Sequence, residues 1–171
     1  PRFTRVLFVF DSGRCLLYQC QRLLGKVGIT KNRDAFVRNE KLGPDVLSED
    51  FSESCFLETF QGRRGSLKAA LMNQSLVAGI GNIYSDEILF HAGYPPETTV
   101  NSLSEEALRN VYRLTRRIMR LAKKRGGADG MPDTYLVRHR DSDFVCPKCH
   151  SELSRKNVSG RAARYCPKCQ R

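Results

Sequence analysis

Cys146-Pro-Lys-Cys149 and Cys166-Pro-Lys-Cys169 are two C-x2-C pairs with 16 residues between them, and no other feature of the chain restricts its fold as tightly. Each pair forms a knuckle that presents two thiolates, and four thiolates at about 2.3 Å close a tetrahedral zinc site with no open position, so such a site is structural. The intervening residues turn at Ser159-Gly160 and read as a hairpin whose tip presents Arg161 and Arg164. Lys148 and Lys168 are placed to offset the negative charge of four thiolates. Cys146-Pro-Lys-Cys149-His150 also matches the c-type haem attachment pattern. The second pair repeats the first residue for residue, which favours one bound zinc and makes His150 a knuckle residue. Cys15, Cys20 and Cys55 remain as core or surface thiols, and seven cysteines are an awkward number for a disulfide framework.

A second constraint lies in the middle of the chain. Ser66 to Gln74 is rich in helix formers, with Leu67, Ala70 and Leu71 at helical spacing. Gly79 and Gly81 interrupt that pattern. Asn82, an N-cap residue type, opens the apolar run through Phe90, which Gly93 and Pro95-Pro96 end. Helix, glycine turn, helix is the expected course. Two arrangements fit it: an open helix N-terminus beside Gly81, suited to a phosphate, or a buried helical hairpin whose glycines serve close packing.

Charge separates the halves of the chain. Of the +11 net charge, residues 1–100 carry +1 and residues 101–171 carry +10. The basic half points to a polyanionic partner. Its longest helix is expected from Glu105 to Lys124, with Ser102 and Glu105 as a capping box and Leu108, Val111, Leu114, Ile118 and Leu121 as the buried stripe. Eight basic residues from Arg109 to Arg125, with no acid among them, lean towards nucleic acid. No apolar run nears the length of a membrane span, and there is no signal-peptide pattern, so the expected location is cytoplasmic, or nucleoid-associated in a bacterium.

Arg5–Phe10, Asp11-Ser-Gly13 and Arg14–Tyr18 read as a β-hairpin, with a further short strand expected around Lys26–Thr30. So few strands make a poor domain, and they are expected to be the tail of a larger β-domain. A short amphipathic helix is expected over Ser52–Phe60. The fold class is α+β. The expected divisions are 1–30, the last strands of a β-sandwich; 31–50, a linker; 51–127, the helical domain; 128–144, a connector; and 145–171, a zinc-ribbon β-hairpin.

The run Met72-Asn-Gln-Ser-Leu-Val-Ala-Gly-Ile-Gly-Asn-Ile-Tyr-Ser-Asp-Glu-Ile-Leu-Phe90, followed by the ribbon ending Gly160-Arg-Ala-Ala-Arg-Tyr-Cys-Pro-Lys-Cys-Gln170, closely resembles the formamidopyrimidine-DNA glycosylase / endonuclease VIII family. The resemblance covers nearly the whole chain and implies a helix–two-turn–helix domain. It also implies a base-excision-repair enzyme that binds damaged double-stranded DNA as a monomer, flips an oxidised base, cleaves its glycosidic bond and nicks the backbone by β,δ-elimination. By the same resemblance, Lys68 contacts a phosphate near the lesion, Asn82 grips a backbone phosphate from the helix N-terminus, and Arg161 clamps the phosphates flanking the flipped nucleotide. By pattern alone Lys68 would be a solvated surface lysine. The family's nucleophile is an N-terminal proline followed by glutamate, whereas Pro1 here precedes Arg2-Phe3-Thr4 and aligns within a late strand. The family's β-sandwich lysine has no counterpart, and Arg22-Leu23-Leu24-Gly25 stands where many members carry an Arg-Phe wedge. No catalytic residue is therefore expected in this chain. The expected role is the DNA-binding portion of a glycosylase/AP lyase that is inactive alone. The alternative is a non-enzymatic zinc-ribbon nucleic-acid-binding protein.

Overall fold

The computed structural model describes every residue except Pro1, Arg22, Leu24 and Ser142. The readings placed on Pro1 and on the Arg22–Leu24 wedge position therefore lie outside the described residues. The chain divides into two units, residues 1–36 and 37–171.

The first unit is built on an antiparallel hairpin, β1 (Thr4–Val9) and β2 (Cys15–Gln19), closed by a turn in which Gly13 adopts φ +74°. Both strands are rich in apolar residues, yet Leu7, Phe8, Val9, Leu16 and Leu17 are exposed, since two strands cannot cover their own faces. The strand expected at Lys26–Thr30 does not form. Gly25 and Gly28 weaken that segment, and Ile29 stands almost fully in solvent.

The second unit is helical and closes on a second hairpin. Residues 31–50 are not the plain linker expected. Helix α1 (Arg33–Asn39) begins within the first unit, and 43–46 is bound to the glycine turn by Gly43 N–H to Gln74 O, Val46 N–H to Ala78 O and Ala78 N–H to Pro44 O, all 2.8–2.9 Å. Val46, at 2% exposure, anchors this segment in the core. Gly43 is required there, because a Cβ would lie 2.7 Å from the Leu76 carbonyl carbon.

Helix α2 (Glu53–Phe60) starts at Ser52, whose hydroxyl accepts from the Cys55 N–H. Helix α3 (Leu67–Met72) is capped in the same way by Ser66 and ends earlier than its composition predicts. Asn73 leaves the helix because its side-chain oxygen accepts from both the N–H and the hydroxyl of Ser75, a local bond that competes with the helical one. Helix α4 (Asn82–Ala92) ends at Gly93 in the left-handed region. Helix α5 (Glu105–Lys124) is capped by Ser104 rather than Ser102. The Ser104 hydroxyl accepts from the Ala107 N–H, while Ser102 is used in a 3-10 turn, bonding to Thr99 O. The stripe Leu108, Val111, Leu114 and Ile118 shares one core with Ile88 and Leu89 of α4 and with Phe51, Phe56 and Phe60, the Phe56 and Phe60 rings being stacked at 4.1 Å.

The connector carries two 3-10 turns, Ala128–Gly130 and Leu136–Arg138, and delivers the chain to β3 (Ser154–Val158) and β4 (Arg161–Tyr165). Ser159 and Gly160 both have positive φ, which is the two-residue turn that matches strand twist. A small separate core of Phe90, Leu136, Cys146, Leu153 and Cys166 lies beneath this hairpin.

Candidate nucleic-acid interface

The glycine turn is held open by its neighbours. Val77 and Ile80 are buried on either side of Gly79, which takes φ +101°. Gln74 spans the turn: its amide donates to Met72 O and Ile80 O, and its side-chain oxygen accepts from Gly79 N–H. Gly81 is the N-cap of α4 and has no side chain to cap it, and among the described residues no side chain bonds to the first-turn N–H groups. A Cβ on Gly81 would meet nothing within 4 Å, so the approach to the helix end is clear. The result is a cleft of about 350 Å³ lined by Met72, Gln74, Gly79, Ile80, Gly81 and Arg161. Arg161 is exposed and, among the described residues, makes no ion pair. An uncapped helix N-terminus thus faces an unpaired guanidinium across a cleft floored by glycine, an arrangement suited to an anion.

The other two anticipated ligands stand differently. Asn82 is the first helical residue rather than the cap, and its Nδ2 donates to Ala162 O at 2.9 Å while its Oδ1 is buried and, among the described residues, has no partner. Lys68 is neither a solvated lysine nor open to the cleft: it is fully buried, 2.5 Å from Asp86, 3.0 Å from the Ser85 hydroxyl and 3.4 Å from Asn82 O. Burial pushes the Lys68 ammonium down and the Asp86 carboxyl up, and their mutual contact opposes both shifts. Arg140 at 3.3 Å and the Arg164 N–H at 3.1 Å also face the Asp86 carboxylate, and together they favour its ionised form. Arg164 is not a second tip residue, because its guanidinium stacks over the Phe144 ring at 4.6 Å. Lys148, expected to offset the thiolates, lies over Phe90, 4.3 Å from the ring centroid and 3.2 Å from its carbonyl.

The basic face of α5 is partly spent inside the fold. Arg109 pairs with Glu53 and Glu105, Arg113 with Glu106, and Arg116 donates to Val46 O and Ser48 O. Beside the first turn of α4 a second hollow, about 270 Å³, is lined by Ile83, Asp129, Val137, Arg138 and Arg140 among others. Glu87, next to Asp86, accepts from the N–H groups of Leu136 and Val137 and so fixes the connector to α4.

The four cysteines converge as their spacing predicts. Their Sγ atoms lie within 4.8 Å of one another, with Cys149–Cys166 at 3.5 Å and Cys146–Cys169 at 3.8 Å. The edge of a tetrahedral sulfur cage around zinc is about 3.8 Å, so the set fits a metal ion. The Ser151 hydroxyl holds the Cys149 thiol down to about 6, whereas burial pushes Cys169 up to about 12.

Residues 42–131 match the formamidopyrimidine-DNA glycosylase H2TH domain, just over half the chain. The chain belongs to the formamidopyrimidine-DNA glycosylase family. It is 34% identical over 182 residues to the Thermus thermophilus enzyme of that name, covering 98% of this chain and 68% of the relative. A Streptococcus thermophilus relative of the same name is 33% identical, with 97% and 66% covered. The chain therefore spans about two thirds of these proteins. The crystal structure of the MutM (Fpg) protein from Thermus thermophilus superposes with a TM-score of 0.79 at 32% identity, covering 99% of this chain and 69% of that one. A Lactococcus lactis formamidopyrimidine-DNA glycosylase, solved non-covalently bound to DNA containing an AP site, gives 0.79 at 29% identity, with 96% and 69% covered.

Within the family frame, the glycine turn and the finger arginine meet at one cleft. The residues that sequence reasoning missed are Gln74, Asp86, Glu87 and Arg140. Asp86 and Glu87 carried a usable signal, since two adjacent acids in an otherwise apolar helical run have no reason to be there unless partners come to them.

Proposed function

We propose that this chain is the DNA-binding portion of a bifunctional base-excision-repair DNA glycosylase/AP lyase acting on oxidised bases, with no catalytic group assigned to any of its own residues. The observation that carries the reading is the cleft in which Arg161 faces the uncapped N-terminus of α4 across Gly81. Its occupant is a backbone phosphate of damaged double-stranded DNA, held by the first-turn N–H groups and the Arg161 guanidinium. Asn82 contributes the second hydrogen of its amide, the first being committed to Ala162 O. Support comes from relatives named as glycosylases and from a relative solved on AP-site DNA.

One zinc is the metal assigned to Cys146, Cys149, Cys166 and Cys169. Four thiolates leave it no open position, so what it supplies is cross-linking: it shapes the hairpin that carries Arg161.

The test is the salt dependence of duplex binding. Arg161→Ala is expected to weaken binding and to flatten the slope of log K against log salt by about one unit. Asn82→Ala is expected to weaken binding, because it removes the amide hydrogen offered to the phosphate and the tie to Ala162 O that steadies β4 beside Arg161, and to cost about 1 kcal/mol of stability for the lost hydrogen bond. If Arg161→Ala binds like the parent chain with the same slope, the cleft is not a phosphate clamp.

A further inference from the structure

We propose that Asp86 is a positioning residue for the DNA clamp, registering strand β4, and with it Arg161, over the N-terminus of α4, and that Lys68 acts through Asp86 and not as a phosphate ligand. The proposal rests on the clamp reading above. Its physical basis is a match of periods. Asn82 and Asp86 are four residues apart on α4, a rise of about 6.0 Å, and Ala162 and Arg164 are two apart on β4, a rise of about 6.6 Å. The two pairs meet: Asn82 Nδ2 donates to Ala162 O at 2.9 Å, and Arg164 N–H donates to Asp86 Oδ2 at 3.1 Å.

The strand is suited to this. Val158 and Arg161 flank the two-residue turn as the first bonded pair, so Ala162 and Arg164 lie at the alternate, non-bonded positions opposite Asn157 and Arg155. Their N–H and C=O groups therefore point away from β3, and α4 supplies the partners that a free strand edge would lack. Fixing Ala162 fixes the backbone of Arg161 next to it.

Of the two ties, the Asp86 tie carries charge. Its carboxylate is 1% exposed and is faced by Lys68 at 2.5 Å, Arg140 at 3.3 Å and the Arg164 N–H. An unpaired carboxylate would not remain buried there, so the two cations keep it ionised and strongly accepting. Lys68 Nζ also bonds to the Ser85 hydroxyl and lies 3.4 Å from Asn82 O. With no exposure, it has no path to a phosphate.

Two measurements on the metal-loaded chain test the joint. The first needs no substitution and no DNA: amide hydrogen exchange. Arg155 and Arg164 occupy equivalent outward positions on β3 and β4, so Arg164 is expected to exchange at least about tenfold more slowly than Arg155. Equal rates would overturn the joint without touching the clamp reading. The second is a cycle of Asp86→Asn with Arg161→Ala, repeated in the background Lys68→Met so that no buried ammonium is stranded. Asp86→Asn is expected to keep its metal, to lose about tenfold or more in affinity and to flatten the salt slope by about one unit, as Arg161→Ala does alone. The two together are expected to be no worse than either. Lys68→Met is expected to leave the slope of Asp86→Asn unchanged, because Lys68 acts only through that carboxylate. Full additivity of Asp86→Asn and Arg161→Ala, or a slope lowered further by Lys68→Met in the Asp86→Asn background, would overturn the proposal. A parent-like Arg161→Ala would instead sink the clamp reading.

Discussion

Gly43 and Gly81 border the same turn but are glycines for opposite reasons, and the difference is measurable. A Cβ on Gly43 would lie 2.7 Å from the Leu76 carbonyl carbon and 2.8 Å from the Ser75 and Leu76 oxygens. Those are backbone atoms, so the segment 43–46 would have to move off the turn. Gly43→Ala is expected to cost about 1–3 kcal/mol, seen as a lower midpoint of thermal unfolding. A Cβ on Gly81 would meet nothing, and its φ of −107° suits any residue. Gly81→Ala is therefore expected to change stability by no more than about 0.5 kcal/mol. Its methyl group, however, stands in the cleft, so duplex binding should fall. A parent-like affinity for Gly81→Ala would show that the anion does not come close to the helix end.

At the scale of elements, α4 organises the second unit, and its polar residues do what its apolar pattern does not reveal. Asn82 and Asp86 take β4, Glu87 takes the connector, and the Gly93 carbonyl meets the end of the chain by accepting from Arg171 N–H. The connector has its own strap. His139 Nδ1 is 3.0 Å from Asp143 and Nε2 is 2.6 Å from Asp133 O; both neighbours only accept, so both ring nitrogens donate. Asp143, then the Asp133 carbonyl, raise the His139 pKa above 6.5, and His139 in turn lowers that of Asp143. A histidine raised in this way stabilises fully below its unfolded value and loses that contribution as pH rises through the folded one. Asp143 contributes above its ordinary carboxylate value and loses its share as pH falls through the depressed one. The strap is thus complete from mildly acidic pH to about 6.5 and loosens above it. An NMR titration should place the His139 midpoint above 6.5, with the Val145 amide, bonded to Asp143, shifting alongside. A midpoint at or below that ordinary value would count against the strap. Periodic features of this unit were legible in the sequence: the α5 stripe, the Gly-Ile-Gly interruption and the paired cysteines. Contacts between distant residues were not. Whether Lys68 is solvated depends on a carboxylate eighteen residues on, and whether Arg116 is free depends on carbonyls some seventy residues back. A charged residue looks the same in sequence whether its partner is water or a buried group, so the eight cations from Arg109 to Arg125 overstated the free basic face.

At the scale of the whole second unit, two cores of unequal size meet along α4. The larger holds the aromatic cluster of Phe51, Phe56 and Phe60 with the α5 stripe. The smaller holds five buried residues, two of them the metal-facing Cys146 and Cys166. Without a metal the smaller core has almost nothing apolar of its own to close on, and so short a hairpin cannot offset its conformational entropy. Chelation is therefore expected to unfold residues 145–171 while the helical signal near 222 nm is largely kept, since α2 to α5 pack in the larger core. Loss of the hairpin removes Arg161 from the cleft and withdraws the partners of Asn82 and Asp86, so duplex affinity should fall further than in Arg161→Ala. Lower pH should favour the same release, because four thiolates must take up protons as the metal leaves. Circular dichroism and duplex binding, followed in parallel during chelator titration, decide the matter. If helical signal and hairpin are lost together, the two cores are one cooperative unit, and the metal holds the helices as well as the finger.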